Sequence, residues 1–234
     1  ARLDIRTMSI EGHEPLWSMG DDTPTAGRGR LDRPVADHLR QAFAQVTNPP
    51  IDPERERVVM DLRVELGRRP ALLGGPPRGP RTLRLERPII ADLAGLEDAL
   101  RERGKRTCTL DATWSPTDGD DAERGIEVLV ISDGALSIDR LPVPSILAIG
   151  AVHTALTIAG LRGRTDVVAD AADILDVHAM AMVLAIGATA AHPRLAIELA
   201  AEVAGSRGAE SLAPADAIAN LVAALEAGLR KTLA

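Results

Sequence analysis

The residues that could do chemistry gather at the ends of apolar runs. Asp111 closes "RTCTLDA" (Arg106–Ala112), and Ser132 and Asp133 close "IEVLVISD" (Ile126–Asp133). Asp170 closes "TDVVAD" (Thr165–Asp170), with Asp173 just beyond. If these runs are parallel strands, all the acids sit on the edge where α/β proteins place ligands. The chemistry open to them is polar ligand contact, or acid–base work shared by Asp133 and Asp170. A local account competes with both. Asp and Ser in turns commonly bond nearby backbone, and Gly134 follows directly in "SDGALSIDR". That account is the expectation for Ser132 and Asp133, with ligand contact as the alternative. No acid–base pair of defined spacing is visible, so an independent enzyme using Asp133 and Asp170 has the least support.

The remaining candidates are weaker. "GDD" occurs as Gly20-Asp21-Asp22 and as Gly119-Asp120-Asp121. Paired acids can hold a divalent cation, but in turn-rich sequence they more often cap backbone or face water. His153, His178 and His192 lie in or beside helical segments, without the H-x-x-x-H or H-E-x-x-H spacing of a metal site. His153, on an otherwise apolar helix, reads as a hydrogen-bonded core histidine. "GRG" at Gly27–Gly29 has no strand before it, so a dinucleotide loop is unsupported. Cys108 has no evident activating base and reads as a small buried hydrophobe. As the only cysteine, it leaves no disulfide framework and no thiolate zinc or iron–sulfur site within this chain.

The totals narrow the function class. The 234 residues are 45% hydrophobic, enough for a core. Aromatics are confined to Trp17, Phe43 and Trp114, so that core must be aliphatic and Ala-rich. The net charge is −7, from 34 acids against 27 bases, which gives no pull toward nucleic acid or anionic lipid. Stacking platforms for single strands are also lacking. The N-terminal "ARLDIRTMSIEGHE" has no apolar core of a secretory signal, so the cytosol is the expected compartment. Leu141–Leu161 carries no formal charge, but Pro142 and Pro144 leave helix for only about four turns, short for a membrane span.

The elements that must position these residues follow from periodicity. Residues 1–32 read as irregular. A helix is expected from about Pro34, with Val35, Leu39, Ala42, Phe43 and Val46 on one face, ended by "TNPP". Asp52 caps a second helix with Pro53 at its first position, running to Leu66 with Val58, Val59, Leu62 and Leu66 inward. "RRPALLGGPPRGP" (Arg68–Pro80) is a linker by composition. Beyond it, helices are expected at Leu93–Arg103, Ser145–Gly160, Ile174–Ile186, from Pro193, and over Pro214–Leu233. Strands are expected at Arg106–Ala112, Ile126–Asp133, Thr165–Asp170 and near Ala188–Ala191. Strands alternating with helices predict an α/β fold with a parallel sheet and flanking helices, preceded by a helical N-terminal segment. The organisation expected is 1–80 as irregular and helical segment with linker, 81–212 as α/β core, and 213–234 as C-terminal helix.

Several blocks carry a family resemblance. They are "WSMGDDTP" (Trp17–Pro24), "FAQVTNPPIDPERERVVMDL" (Phe43–Leu62), "RLERPII" (Arg84–Ile90), "VLVISDGALSIDRLPVPSILAIGAVH" (Val128–His153), "DVHAMAMVLAIGATAAHPRLAIE" (Asp176–Glu198) and "ALEAGLRKTLA" (Ala224–Ala234). In this order, and over most of the chain, they resemble the central domain of the glutamate synthase large subunit. The resemblance implies a parallel α/β unit similar to an incomplete (βα) barrel, without a cofactor of its own. It implies two partners, in cis or in trans. One is a glutaminase domain that releases ammonia through its N-terminal Cys. The other is a barrel domain with FMN and an iron–sulfur cluster that uses ammonia to make glutamate from 2-oxoglutarate. The central domain links them and helps enclose the ammonia path. By resemblance the chain is part of an oxidoreductase, but it starts at Ala1 and stops where the barrel would begin, so neither catalytic half is expected in it.

The chain departs from the family pattern in places. Gly134 stands where the family usually has Arg, Thr154 where it usually has a second His, and His192-Pro193-Arg194 replaces an Asn-Pro-Tyr-like run. The crossover Trp114–Gly125 has no apolar periodicity and is expected to lack its helix, leaving one sheet face for a partner or neighbouring element to cover. These departures keep open a stand-alone degenerate paralogue acting as a binding or scaffold module. The residues expected at an interface or ligand contact are Asp21, Asp22, Thr47, Asn48, Ser132, Asp133 and His153.

Overall fold

The structure, a computed structural model, describes residues 2–15, 34–39, 51–67, 82–113, 126–206 and 208–233. The candidates Asp21, Asp22, Thr47 and Asn48, the stretch 68–80 and the crossover 114–125 lie outside those residues. In chain order the elements are α1 (Arg2–Glu11), a 3-10 turn (Val35–His38), α2 (Pro53–Val59), β1 (Val64–Leu66), β2 (Leu83–Leu85), α3 (Leu93–Glu102) and β3 (Thr107–Asp111). Then follow β4 (Val128–Ser132), α4 (Ser145–Ile158), β5 (Asp166–Asp170), α5 (Val177–Ile186), β6 (Ala190–His192), α6 (Arg194–Val203) and α7 (Pro214–Leu233). The chain forms two compact units: Leu62–Ala172 with Val183–Arg194, and Ala1–Asp61 with Asp173–Met182 and Leu195–Ala234.

The first unit is the α/β one. Its sheet runs β3-β4-β5-β6, every neighbouring pair parallel, in sequence order and open rather than closed into a barrel. β4 and β5 are buried along nearly their whole length, as continuous apolar runs in a parallel sheet must be. On one face Val128, Val130, Val168 and Ala190 pack with Leu96 and Leu100 of α3 and with Leu66, Leu83 and Ile90. Each fully buried Leu or Val there is worth about 1.5–3 kcal/mol. The edge of β6 is continued by a parallel bridge between Ile89 and Ala191, with Ala191 N donating to Pro88 O at 2.7 Å and Ile90 N to Ala191 O at 2.8 Å. β3 is less covered: Thr107, Thr109 and Asp111 are exposed, and Cys108 and Leu110 are half-buried.

The second unit is helical. α7 buries Ala217, Leu221, Val222, Ala224, Leu225, Gly228 and Leu229, a helical stripe with small residues that allow close approach. α1 packs on α7, with Ile5 and Met8 buried. Asn220 Nδ2 donates to the last carbonyls of α1, Ser9 O at 3.0 Å and Ile10 O at 3.3 Å. Gly12, at φ 71, closes that helix as a left-handed C-terminal residue. Among the described residues no helix is long and apolar enough to cross a membrane.

Three expectations are corrected. Residues 2–11, expected to be irregular, are helical; burial of Ile5 and Met8 stabilises a helix too short to persist alone. The helix from Pro34 is a 3-10 turn over Val35–His38, after which Leu39 is extended at φ −90, ψ 112; its further residues lie outside those described. The second helix ends at Val59 instead of Leu66, with Met60 extended. Val58 and Val59 face water at 87% and 53% exposure. The same apolar letters fit a period of two: Val64–Leu66 pairs antiparallel with Leu83–Leu85, and this ladder wins over helix. The start is as expected, with Asp52 accepting from Glu54 N at 3.0 Å and Arg55 N at 2.9 Å, and Pro53 in the first turn.

Candidate functional site

The last residues of the four parallel strands stand in one row. Asp111 pairs with Ser132, Ser132 with Asp170, and Asp170 with His192. In a parallel sheet, residues in register point to the same face, so the polar row is a direct product of four strands ending together. The backbone extends the row by one step: Asp133 N donates to Asp170 O at 3.2 Å and Ala171 N to His192 O at 3.2 Å.

The side chains of the row are largely spent on one another. Ser132 Oγ donates to Asp170 Oδ2 at 2.5 Å and accepts from Gly134 N at 3.0 Å. A serine whose proton goes to a carboxylate and whose lone pair takes an amide is not set up as a nucleophile with a histidine base. His192 Nδ1 lies 2.8 Å from Ile90 O, a pure acceptor, so Nδ1 carries the proton. Its Nε2 then stands 4.0 Å from Asp170 Oδ1, beyond hydrogen-bond range. Asp133 Oδ2 accepts from Ala172 N at 2.9 Å, and its Oδ1 pairs with Arg194 Nη2. Arg194 Nε lies 3.4 Å from Asp170 Oδ1; neither atom has a hydrogen bond, so this contact is charge pairing alone. One guanidinium is therefore shared by two carboxylates whose side chains are only 7% and 6% exposed. Such an arrangement fastens the ends of β4 and β5.

At the β3 end a second cluster forms. Thr113 donates to Asp111 Oδ1 through its amide at 2.8 Å and its hydroxyl at 2.6 Å. Arg140 Nε donates to Thr113 Oγ1 at 2.9 Å, and Arg140 Nη2 pairs with Asp111 Oδ2. The Thr113 hydroxyl first, then its amide and Arg140, hold the Asp111 carboxyl below its ordinary range.

At the opposite sheet edge His153 meets Arg162. Arg162 Nε donates to His153 Nδ1 at 3.2 Å, Nη1 to Thr165 O at 2.8 Å, and Nη2 to Gly187 O at 2.8 Å and Thr189 Oγ1 at 3.3 Å. Asp166 accepts from Gly67 N at 2.7 Å and Thr189 Oγ1 at 3.0 Å. A cleft of about 290 Å³ lies over Gly67, His153 and Arg162 to Asp166. Gly187, at φ +135, must be glycine: a Cβ there would stand 2.3 Å from His153 Nδ1.

Ser132, Asp133 and Asp170 thus come together with His192, while His153 lies at the other edge and Asp173 belongs to the helical unit. Ser132 does bond the backbone of its own turn, at Gly134, whereas Asp133 bonds no nearby turn amide but the backbone of Ala172, 39 residues on and just beyond β5. The sequence reading missed Arg194, Thr113, Arg140 and Arg162 as partners. A signal for Arg194 exists: it follows the end of β6 by two residues, so it had to emerge at the strand-end edge. His178 Nε2 bonds Ala36 O at 2.8 Å within the helical unit. Among the described residues no three His, Cys, Asp or Glu side chains could hold a metal ion together.

Comparison with known proteins matches residues 1–234 to the family described as the glutamate synthase central domain. The chain belongs to that family. Among its relatives is the glutamate synthase [NADPH] large chain of Azospirillum brasilense, 35% identical over 99% of this chain and 16% of that protein. Another is ferredoxin-dependent glutamate synthase 1, chloroplastic/mitochondrial, of Arabidopsis thaliana, 35% identical over 84% of this chain and 13% of that protein. A third is glutamate synthase [NADH] of Schizosaccharomyces pombe, 32% identical over 97% of this chain and 12% of that protein. The chain therefore spans only 12–16% of the length of these relatives. In this glutamate synthase central domain, two of the positions set apart above, Gly134 and Arg194, lie in the same cluster. A Cβ at 134 would stand 3.0 Å from Ser132 Oγ and 3.8 Å from Asp170 Oδ2.

Proposed function

We propose that this chain is the connecting domain of a glutamate synthase. It joins a glutaminase domain to an FMN-barrel domain that also carries the iron–sulfur cluster, and it helps enclose the ammonia path between them. The observation that carries the reading is the family match over residues 1–234, to a domain forming a small part of proteins named glutamate synthases. A structural part for these strand ends is supported by their bonds to one another, to the Gly134 amide and to the Ala172 amide. Enclosure has a physical purpose: ammonia that meets water becomes ammonium, which is no nucleophile, and walls of aliphatic side chains exclude that water.

The test uses the full-length protein that carries this domain. Glutamine hydrolysed and glutamate formed are measured with and without an enzyme in the medium that traps free ammonia. The two should stay matched despite the trap. Loss of glutamate to the trap would end the enclosure reading. A full-length protein without glutaminase and FMN-barrel domains, and binding neither, would end the connecting role.

A further inference from the structure

We propose that the loop between β4 and α4 is the surface on which another domain of the same polypeptide docks, through an apolar pocket that receives Ile138. This inference rests on the chain being one domain of a longer glutamate synthase. Ser137 and Arg140 exchange backbone hydrogen bonds, Ser137 N to Arg140 O at 3.1 Å and Arg140 N to Ser137 O at 3.2 Å, which leaves Ile138 and Asp139 at the tip of a tight turn. Turn tips favour Gly, Asn, Asp, Ser or Pro, each for a backbone reason. Ile has none of those reasons, and here its side chain is 97% exposed. Three more large aliphatics in the same stretch face water: Leu141 at 71%, Leu147 at 53% and Leu136 at 47%. Single exposed aliphatics such as Ile158 are ordinary, whereas a run of them beside a turn marks an interaction surface.

The loop is also held in place. Leu136 N donates to Asp133 O at 3.0 Å, Val143 N donates to Ala112 O at 2.8 Å, and Thr113 bridges Pro142. Arg140 is tied to Asp111 and Thr113. An apolar tip fixed in advance loses little conformational freedom on docking, which favours a standing interface. The occupant follows from how much chain lies elsewhere. These residues correspond to 12–16% of the relatives' length, so most of such a polypeptide is available to cover the tip in cis.

The experiment places the photo-cross-linking residue p-benzoylphenylalanine at Ile138 in the full-length protein, and at Ile158 in a parallel sample. Products are separated by mass and mapped by peptide mass spectrometry. The expected product keeps monomer mass and joins position 138 to a peptide outside residues 1–234, with no such product from position 158. Four outcomes overturn the proposal: no product from 138, products only within residues 1–234, a dimer-mass product from a second copy, or capture of a separate protein. The readouts also separate the two readings. Position 138 joined to a domain that is neither a glutaminase nor an FMN barrel keeps the docking and removes the connecting role. Intact ammonia retention with an unreactive position 138 removes only the docking.

Discussion

Replacing Arg194 with Met removes the cation shared by Asp133 and Asp170 while keeping most of the side-chain volume. The two carboxylate side chains are 7% and 6% exposed, so neither can recover its lost partner from bulk water. Breaking a buried pair from one side generally costs about 3–5 kcal/mol, because the remaining charge is left uncompensated. The Arg194 side chain is itself 25% exposed, and solvent screening moves the expectation to the lower end, about 3 kcal/mol. That is a large share of a stability of about 5–15 kcal/mol. With a urea slope of about 2 kcal/mol/M, the midpoint should fall by about 1.5 M. Adding Asp133→Asn should recover part of the loss, since it removes one orphaned charge but retains an acceptor for the Ala172 amide, now 2.9 Å away. Arg194→Lys should fall between parent and Met, because an ammonium keeps the charge but loses the fork that reaches both acids. Urea unfolding followed by far-UV circular dichroism on all four proteins gives the comparison. An unmoved midpoint in Arg194→Met would refute the clasp, as would a double variant no more stable than Arg194→Met alone.

Two further outcomes test other parts of the fold. A Cβ at Gly228 of α7 would stand 2.4 Å and 2.6 Å from the two methyl carbons of Val177, so Gly228→Ala should destabilise. Overpacking by about 1–3 kcal/mol exceeds the roughly 1 kcal/mol helix gain, and adding Val177→Ala should relieve the clash; a thermal midpoint that rises in Gly228→Ala alone contradicts the close approach. Thr113→Val removes the hydroxyl that contributes most to holding the Asp111 carboxyl below its ordinary 3.8, so an NMR titration should move that carboxyl upward. Since the folded-state value is depressed, Asp111 adds stability above its unfolded value and loses it as pH falls through the folded value; the variant should lose part of this acid-side slope, because the Thr113 amide and Arg140 remain, and an unchanged titration would count against the assigned cause.

Much of the α/β unit is legible in the sequence. "VLVIS" read as a strand from its continuous apolar run and "DVVAD" as a strand in the same alternation with helices, and both are strands buried along nearly their whole length. Asp52 before Pro53 announced a helix start by capping chemistry alone. The helical end of that segment was not legible, because Val58, Val59, Leu62 and Leu66 satisfy a helical spacing while Leu62, Val64 and Leu66 satisfy alternation. Only a partner strand at Leu83–Leu85 decides between them. Residues 2–11 lacked a helical signature for the complementary reason: their helix is stabilised by the α7 surface and by Asn220, more than 200 residues away.

The candidate site divides in the same way. The sequence by itself determined that Asp111, Ser132, Asp133 and Asp170 would stand at strand ends, since hydrophobic runs stop where the polar residues begin. It also determined the family, through blocks spread along the chain between Trp17 and Ala234. Only the tertiary structure decided what those groups do. Capping, periodicity and proline act within a few residues and can be read along the chain. Arg194 meets Asp133 across 61 residues, and that meeting exists only once β4, β5 and β6 lie side by side in register, turning a set of candidate acids into a fastened sheet edge.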